Sequence, residues 1–311
     1  MKSSFRQIAS VALVTFNVGV VEAAIAIPPP PYAKVEQYET TIPVTDDPTD
    51  IYYPVPSEGV EQQFPLVLML QGAFVDKAAY REFARGVAAY GFVVVVPNHE
   101  RSVFNPRTEE EVVGLLSAQR QVNDVLDFIK SEQDDPASPI AAIVDPEQFG
   151  LMGHSHGGAV ALSAIRGTCL LLLCSRDRFE RPPELDAGVF FGTHLEFPPQ
   201  SGTYPPIDNP VPIALLAGSE DGVATLDEIR NTYAQIQNPP KTLIIIEGAN
   251  HYGITNENNP DRAVNPPLIP QAEALEMITH WTGLFLRSHL WGDREAFNTV
   301  YGENGNTMEI E

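Results

Sequence analysis

Phe149-Gly150-Leu151-Met152-Gly153-His154-Ser155-His156-Gly157-Gly158 decides how the rest of the chain is read. An apolar run gives way to Gly153-x-Ser155-x-Gly157, and a stretch rich in small residues, 157–165, follows it. This is the pattern of a strand that turns sharply into a helix with a serine at the turn. So tight a turn admits only small residues on either side, and it presents the hydroxyl at the carboxyl edge of a parallel sheet. The five-residue pattern alone is common by chance; the strand before it and the helix after it give it weight.

Outward from this turn, short apolar runs alternate with longer amphipathic ones, the signature of a parallel sheet with crossover helices. Residues 35–42 and 50–54 predict an opening antiparallel pair, and 65–70 a strand covered on both faces. A helix over 78–90 ends at Gly91, and 92–96 is the next buried strand, stopped by Pro97. Apolar residues at Val112, Leu115, Leu116, Val122, Val125, Leu126 and Ile129 keep helical spacing over 109–129. Strands follow at 149–152, 189–191, 211–216 and 243–246, and a closing helix at 272–290. The expected architecture is α/β: a mostly parallel central sheet of about eight strands with helices on both faces. Two Pro-rich stretches, 197–210 and 259–270, read as surface loops and candidate pocket walls.

A neutral serine needs a base, and the base needs an acid to hold its tautomer. With the serine on such a turn, acid and histidine follow in that order on loops after later strands. Leu215-Leu216-Ala217-Gly218-Ser219-Glu220-Asp221-Gly222 offers carboxylates beyond an apolar strand, and Ile246-Glu247-Gly248-Ala249-Asn250-His251-Tyr252-Gly253 offers a histidine. Ser155, Asp221 and His251 are therefore the candidate catalytic residues, with Glu220 as the rival acid. Asp186 begins its strand and belongs to the opposite edge. One oxyanion donor should be the N–H of His156. The second should come from Gln71-Gly72-Ala73-Phe74, where Gly72 lets the backbone approach; the donor is taken as the N–H of Phe74, with that of Ala73 as the alternative. Gly72, Ala73, Phe74, His156 and Tyr252 are the candidate substrate-binding residues. The His156 side chain points either into the pocket mouth or into a structural contact. His99 and His194 lie at carboxyl-edge positions, and His280 and His289 on the closing helix read as structural. The alternating pair His154 and His156 lacks a further ligand at metal spacing, so no metal or other cofactor is expected. There is no phosphate-binding G-x-x-x-x-G-K-[ST] loop and no dinucleotide fingerprint.

The chain has 311 residues, Asp+Glu 41 against Lys+Arg 19, and a net charge of −22. That balance opposes nucleic-acid partners and anionic membrane surfaces, which need basic clusters. Lys2 and Arg6 precede an apolar stretch over 8–21, and Ala24-Ile25-Ala26 has the small residues of a cleavage site. Residues 1–26 therefore read as a secretory signal and the protein as exported (periplasmic, luminal or extracellular). The stretch is too short for a span. A Pro-rich spacer over 27–33, a catalytic domain over 34–301 and an acidic tail over 302–311 complete the division. Export permits a disulfide, and Cys169 and Cys174 are the only candidates. They pair only if the chain turns between them; otherwise they are buried thiols.

On these residues the chain resembles the α/β-hydrolase superfamily. Asp50-Ile51-Tyr52-Tyr53-Pro54, the run 65–97 with its Gln71-Gly72-Ala73-Phe74 loop, and Gly153-His154-Ser155-His156-Gly157-Gly158 resemble its chlorophyllase and polyester-hydrolase (cutinase-like) branch. Plant members of that branch usually carry Arg where this chain has His156, and more often His-Gly or Pro-Gly at Gln71-Gly72. The resemblance implies metal-free hydrolysis of a bulky apolar ester, such as the phytyl ester of chlorophyll. The same segments also fit a secreted lipase or polyesterase. A reading of another class is a non-catalytic lipid- or pigment-binding protein on the same fold.

Overall fold

A computed structural model describes residues 27–57, 59–105, 110–168, 179–302 and 309–310. The chain opens with the antiparallel strands β1 (Val35–Ile42) and β2 (Asp47–Pro54), followed by β3 (Phe64–Leu70). A 3-10 turn, Lys77–Tyr80, leads into α1 (Arg81–Ala88), with the Asp76 side chain accepting from the Ala78 N–H at its start. β4 (Val93–Pro97) is followed by a hairpin of β5 (Glu100–Asn105) and β6 (Glu110–Leu115), then α2 (Gln121–Asp134). β7 (Val144–His154) runs into α3 (His156–Arg166), and β8 (Leu185–Phe191) and β9 (Ile213–Gly218) follow. α4 (Leu226–Gln235), β10 (Lys241–Ile246), α5 (Gln271–Leu290), α6 (Arg294–Tyr301) and β11 (Glu309–Ile310) complete the order.

The nine strands of the main sheet lie in the order β1-β2-β4-β3-β7-β8-β9-β10-β11. Only the β1–β2 and β2–β4 pairs are antiparallel; every other pair is parallel. Successive strand residues point to opposite faces, so a parallel strand buried on both sides must be apolar at every position. β3 shows this directly. Leu66, Leu68 and Leu70 join Val122 and Ile129 of α2, Val160 of α3 and Ile229 of α4, while Val67 and Met69 join Phe83 of α1, Phe285 of α5 and Val300 of α6. All of these are buried. This is the α/β-hydrolase fold, with the carboxyl ends of β3, β7, β8, β9 and β10 gathered along one edge.

The structure departs from the sequence-based expectations where short apolar runs are ambiguous. The helix expected over 109–129 is two elements: 110–115 is strand β6, and the helix starts only at Gln121. β-branched Val112 and Val113 and the weak helix former Gly114 favour extended chain, and the hairpin partner opposite them supplies the hydrogen bonds, with Val103 facing Val112. The expected helix over 78–90 begins with the 3-10 turn and ends at Ala88. α6, capped by Asp293 through the N–H groups of Glu295 and Ala296, had an N-cap signal that the sequence reading passed over. Within the expected acidic tail, Glu309–Ile310 adds a short parallel edge beside β10. The segment read as a secretory signal and both cysteines lie outside the described residues. No helix among the described residues is long and apolar enough to cross a membrane.

His289 is packed among Phe285, Phe297 and Tyr301, with Nε2 2.9 Å from the Tyr301 hydroxyl. Burial pushes its pKa from 6.5 down to about 4. A histidine that is harder to protonate when folded stabilises the fold above its unfolded pKa, and that contribution is lost as the pH falls from 6.5 towards 4. His289→Phe keeps ring contacts and removes the titration. Its melting temperature should therefore fall less than the wild type's between about pH 7 and about pH 4.5; an equal fall would show that acid acts elsewhere.

Candidate active site

Ser155 sits between β7 and α3 at φ 53° and ψ −121°, a backbone conformation that non-glycine residues rarely adopt. Its neighbours explain how the turn closes. A Cβ on Gly157 would lie 2.1 Å from the Leu70 carbonyl oxygen and 2.5 Å from that of Gln71, and one on Gly153 would lie 2.7 Å from the Gly158 Cα. Bare backbone is thus required at both positions, since no side chain can be rotated out of the way. The Ser155 N–H donates to the Phe191 carbonyl at the end of β8, and the Thr193 hydroxyl donates to the Ser155 carbonyl. The hydroxyl thereby stands at the carboxyl edge, directly ahead of the first turn of α3 and its free N–H groups.

Asp221 and His251 meet at the same edge. His251 Nδ1–H donates to Asp221 Oδ2 at 2.7 Å, and both side chains are almost fully enclosed. Asp221 Oδ1 accepts the N–H groups of Val223 and Ala224, so the carboxylate cannot swing away. Because Nδ1 carries the proton, Nε2 is left as the acceptor, the tautomer a general base needs. The two loops are tied together: the Glu220 N–H donates to the Ala249 carbonyl and the Gly248 N–H to the Ser219 hydroxyl. The rival acid, Glu220, takes the Ser219 hydroxyl instead. Gly192, the residue after β8, adjoins the pair, its ideal Cβ position being 3.0 Å from both Asp221 Oδ2 and His251 Nδ1. Asp186 is the second residue of β8, at the far end of that strand.

His154 links the serine turn to the histidine loop. Its Nε2–H donates to the His251 carbonyl at 2.9 Å, and its Nδ1 accepts from the Tyr80 hydroxyl, also at 2.9 Å. The Tyr80 oxygen in turn accepts the Gly72 N–H. Burial, reinforced by the neighbouring His251, holds the His154 pKa well below the ordinary histidine value. It therefore stays neutral, as the two-sided hydrogen bonding demands.

The oxyanion expectation needs a correction. The Phe74 N–H donates to the Leu115 carbonyl of β6 at 2.7 Å, so it is not available to a substrate oxygen. The Ala73 N–H has no partner among the described residues, which makes Ala73 the second candidate donor beside His156. The His156 side chain is also committed, its Nε2–H donating to the Ser117 carbonyl at 3.3 Å. Burial, with the charge of Arg101 nearby, lowers its pKa to about 4. Of the expected substrate-binding residues, Gly72 gives its N–H to Tyr80, and Phe74 is 50% exposed. Tyr252 is nearly covered and stands edge-on to His251, which leaves it a supporting position rather than an open one.

The remaining histidines lie apart. His99 Nδ1 binds Asp47 at 2.9 Å and its N–H donates to the Gln71 side chain. His280 meets the Tyr90 hydroxyl. His194, Glu196 and Glu228 bring ligand atoms within 4.8 Å of one another, a grouping the sequence reading missed. Both carboxylates are already engaged, Glu228 in the capping box of α4 and Glu196 with the N–H groups of Gln200 and Gly202.

Residues 32–172 match the family model described as Chlorophyllase. The matched segment runs from β1 through α3 and holds the Gln71-Gly72-Ala73 loop and Ser155; Asp221 and His251 lie beyond it. Over that segment the chain resembles the chlorophyllase branch of the α/β-hydrolases, a family of hydrolases. No match was found among curated proteins.

Tyr80→Phe would leave the buried Gly72 N–H and His154 Nδ1 without their shared partner, at a cost of about 1–3 kcal/mol. Urea unfolding of that variant should show the loss with an unchanged m-value.

Proposed function

We propose that the protein is a serine carboxylic-ester hydrolase that acts on a bulky apolar ester, with chlorophyllase-like cleavage of a phytyl ester as its most specific form. The buried His251–Asp221 pair at 2.7 Å, on the sheet edge where Ser155 is presented, carries this reading. Ser155 Oγ attacks the ester carbonyl while His251 Nε2 takes its proton. The N–H groups of Ala73 and His156 hold the oxyanion, the latter aided by the N-terminus of α3. His251 then protonates the departing alcohol. Water, deprotonated by the same nitrogen, attacks the acyl-enzyme and releases the acid and Ser155.

The rim favours an apolar substrate. Phe74, Val223, Val264 and Leu268 are large exposed apolar side chains on the loops beside Ala73, Asp221 and Gly248. Exposed apolar side chains of this kind are poorly solvated by water, and a hydrocarbon chain would cover them. The N-terminal segment supports an exported enzyme, which also suits a lipase or polyesterase. Turnover of chlorophyll against triglyceride by the purified protein separates these substrates.

Ser155→Ala should abolish hydrolysis of a short 4-nitrophenyl ester while circular dichroism stays unchanged. Asp221→Asn should lower kcat by about 10⁴-fold, because Asn donates to Nδ1 and selects the wrong tautomer. Glu220→Gln should stay within a few-fold of wild type. A fluorophosphonate should label wild type and not Ser155→Ala. Full turnover by Ser155→Ala would overturn the assignment.

A further inference from the structure

One cation stands over the mouth of the proposed site. Arg262 lies in the loop between β10 and α5, with its guanidinium carbon 5.9 Å from the centroid of the Phe74 ring and 5.8 Å from that of Tyr252. Phe74 follows Ala73, and Tyr252 follows His251, so the guanidinium bridges the oxyanion side and the base side of the site. Its loop is anchored. The Arg262 and Ala263 N–H groups donate to the Asn259 carbonyl, the Asn250 side chain donates to the Asn265 carbonyl, and the Leu268 N–H donates to the Gly248 carbonyl.

The side chain is exposed, and it has no carboxylate or hydrogen-bond partner among the described residues. Lys34, Lys77, Lys130 and Arg287 each sit on a carboxylate. A guanidinium that lies over aromatic rings keeps its N–H donors around the edge, in the fork that matches a carboxylate. Its charge also reaches inward, where it opposes protonation of His154 and counters the effect of burial on Tyr252. Beside the residues that follow Ala73 and His251, then, an exposed guanidinium lies over two aromatic rings with no carboxylate partner among the described residues.

We propose that Arg262 binds a carboxylate on the substrate, so that the preferred esters are half-esters of apolar dicarboxylic acids. The inference rests on the hydrolase reading of Ser155 and narrows its substrate: an apolar body with one anionic end. The apolar part lies on Phe74, and the far carboxylate reaches the guanidinium edge.

Mono-4-nitrophenyl adipate, suberate and sebacate, each compared with the neutral 4-nitrophenyl ester of equal chain length, test this in wild type, Arg262→Gln and Arg262→Lys. For at least one length the wild type should favour the half-ester. Arg262→Gln should lower the ratio of the two kcat/KM values about tenfold, Arg262→Lys should lower it less, and added salt should shrink the wild-type preference. A ratio unchanged by Arg262→Gln at all three lengths would overturn the proposal. Calorimetric titration of the same half-esters into Ser155→Ala, with and without Arg262→Gln, reads binding apart from chemistry. Weaker binding on loss of Arg262 supports the proposal, and equal binding overturns it. Half-ester binding that depends on Arg262, in a protein that hydrolyses no ester, would sink the hydrolase reading and leave this one standing.

Discussion

The backbone at Ser155 is the constraint on which the rest of the site depends. A residue at φ 53° costs on the order of 1–3 kcal/mol and persists only where the surroundings leave it no alternative. Here the surroundings are the end of β3 under Gly157, the end of β8 hydrogen-bonded to the Ser155 N–H, and α3 starting at once behind it. The sheet core supplies the energy that holds this turn, since β3, β7 and β8 are buried on both faces. The contact that forbids a Cβ at Gly157 also brings the Leu70–Gln71 carbonyls, and hence the loop carrying Ala73, up to the serine. Strain and alignment have the same origin.

The electrostatics of the site differ from those of the molecule. The chain is strongly acidic, yet His154 and His156, on either side of Ser155, are held neutral by burial, and Asp221 is committed to His251 and two backbone N–H groups. A neutral ester entering such a site meets little opposing charge. His251 is held by Asp221, the carboxylate that its Nδ1–H reaches. The excess of acidic side chains therefore belongs to the solvated exterior and not to the chemistry.

Much of this was legible in the sequence because punctuation followed buried strands. Gly153-x-Ser155-x-Gly157, the run ending Asp221-Gly222 and the one ending His251-Tyr252 each stand just past an apolar stretch, so one rule about carboxyl edges locates all three. The candidate oxyanion donor was not legible in that way. Choosing between Ala73 and Phe74 depends on the Leu115 carbonyl, which reaches Phe74 only because 110–115 is strand and not helix. Helical spacing of Val112, Leu115 and Leu116 misdirected the reading, since a few apolar residues fit either period. Arg262 was invisible for a related reason. Nothing local marks a loop arginine as lying over Phe74, a ring from a distant segment, as well as over Tyr252 of its own loop.

The hydrogen bonds from Gly72 through Tyr80 and His154 to the His251 carbonyl have a consequence for anyone who would alter this pocket. They make the loop after β3, the start of the first helical segment, the serine turn and the histidine loop a single joint with four leaves. A graft that exchanges one leaf inherits an unmatched donor or acceptor from the others. Specificity is therefore better changed at positions outside the joint, such as Arg262 in the later part of the loop between β10 and α5, than by transplanting the loop that carries Ala73.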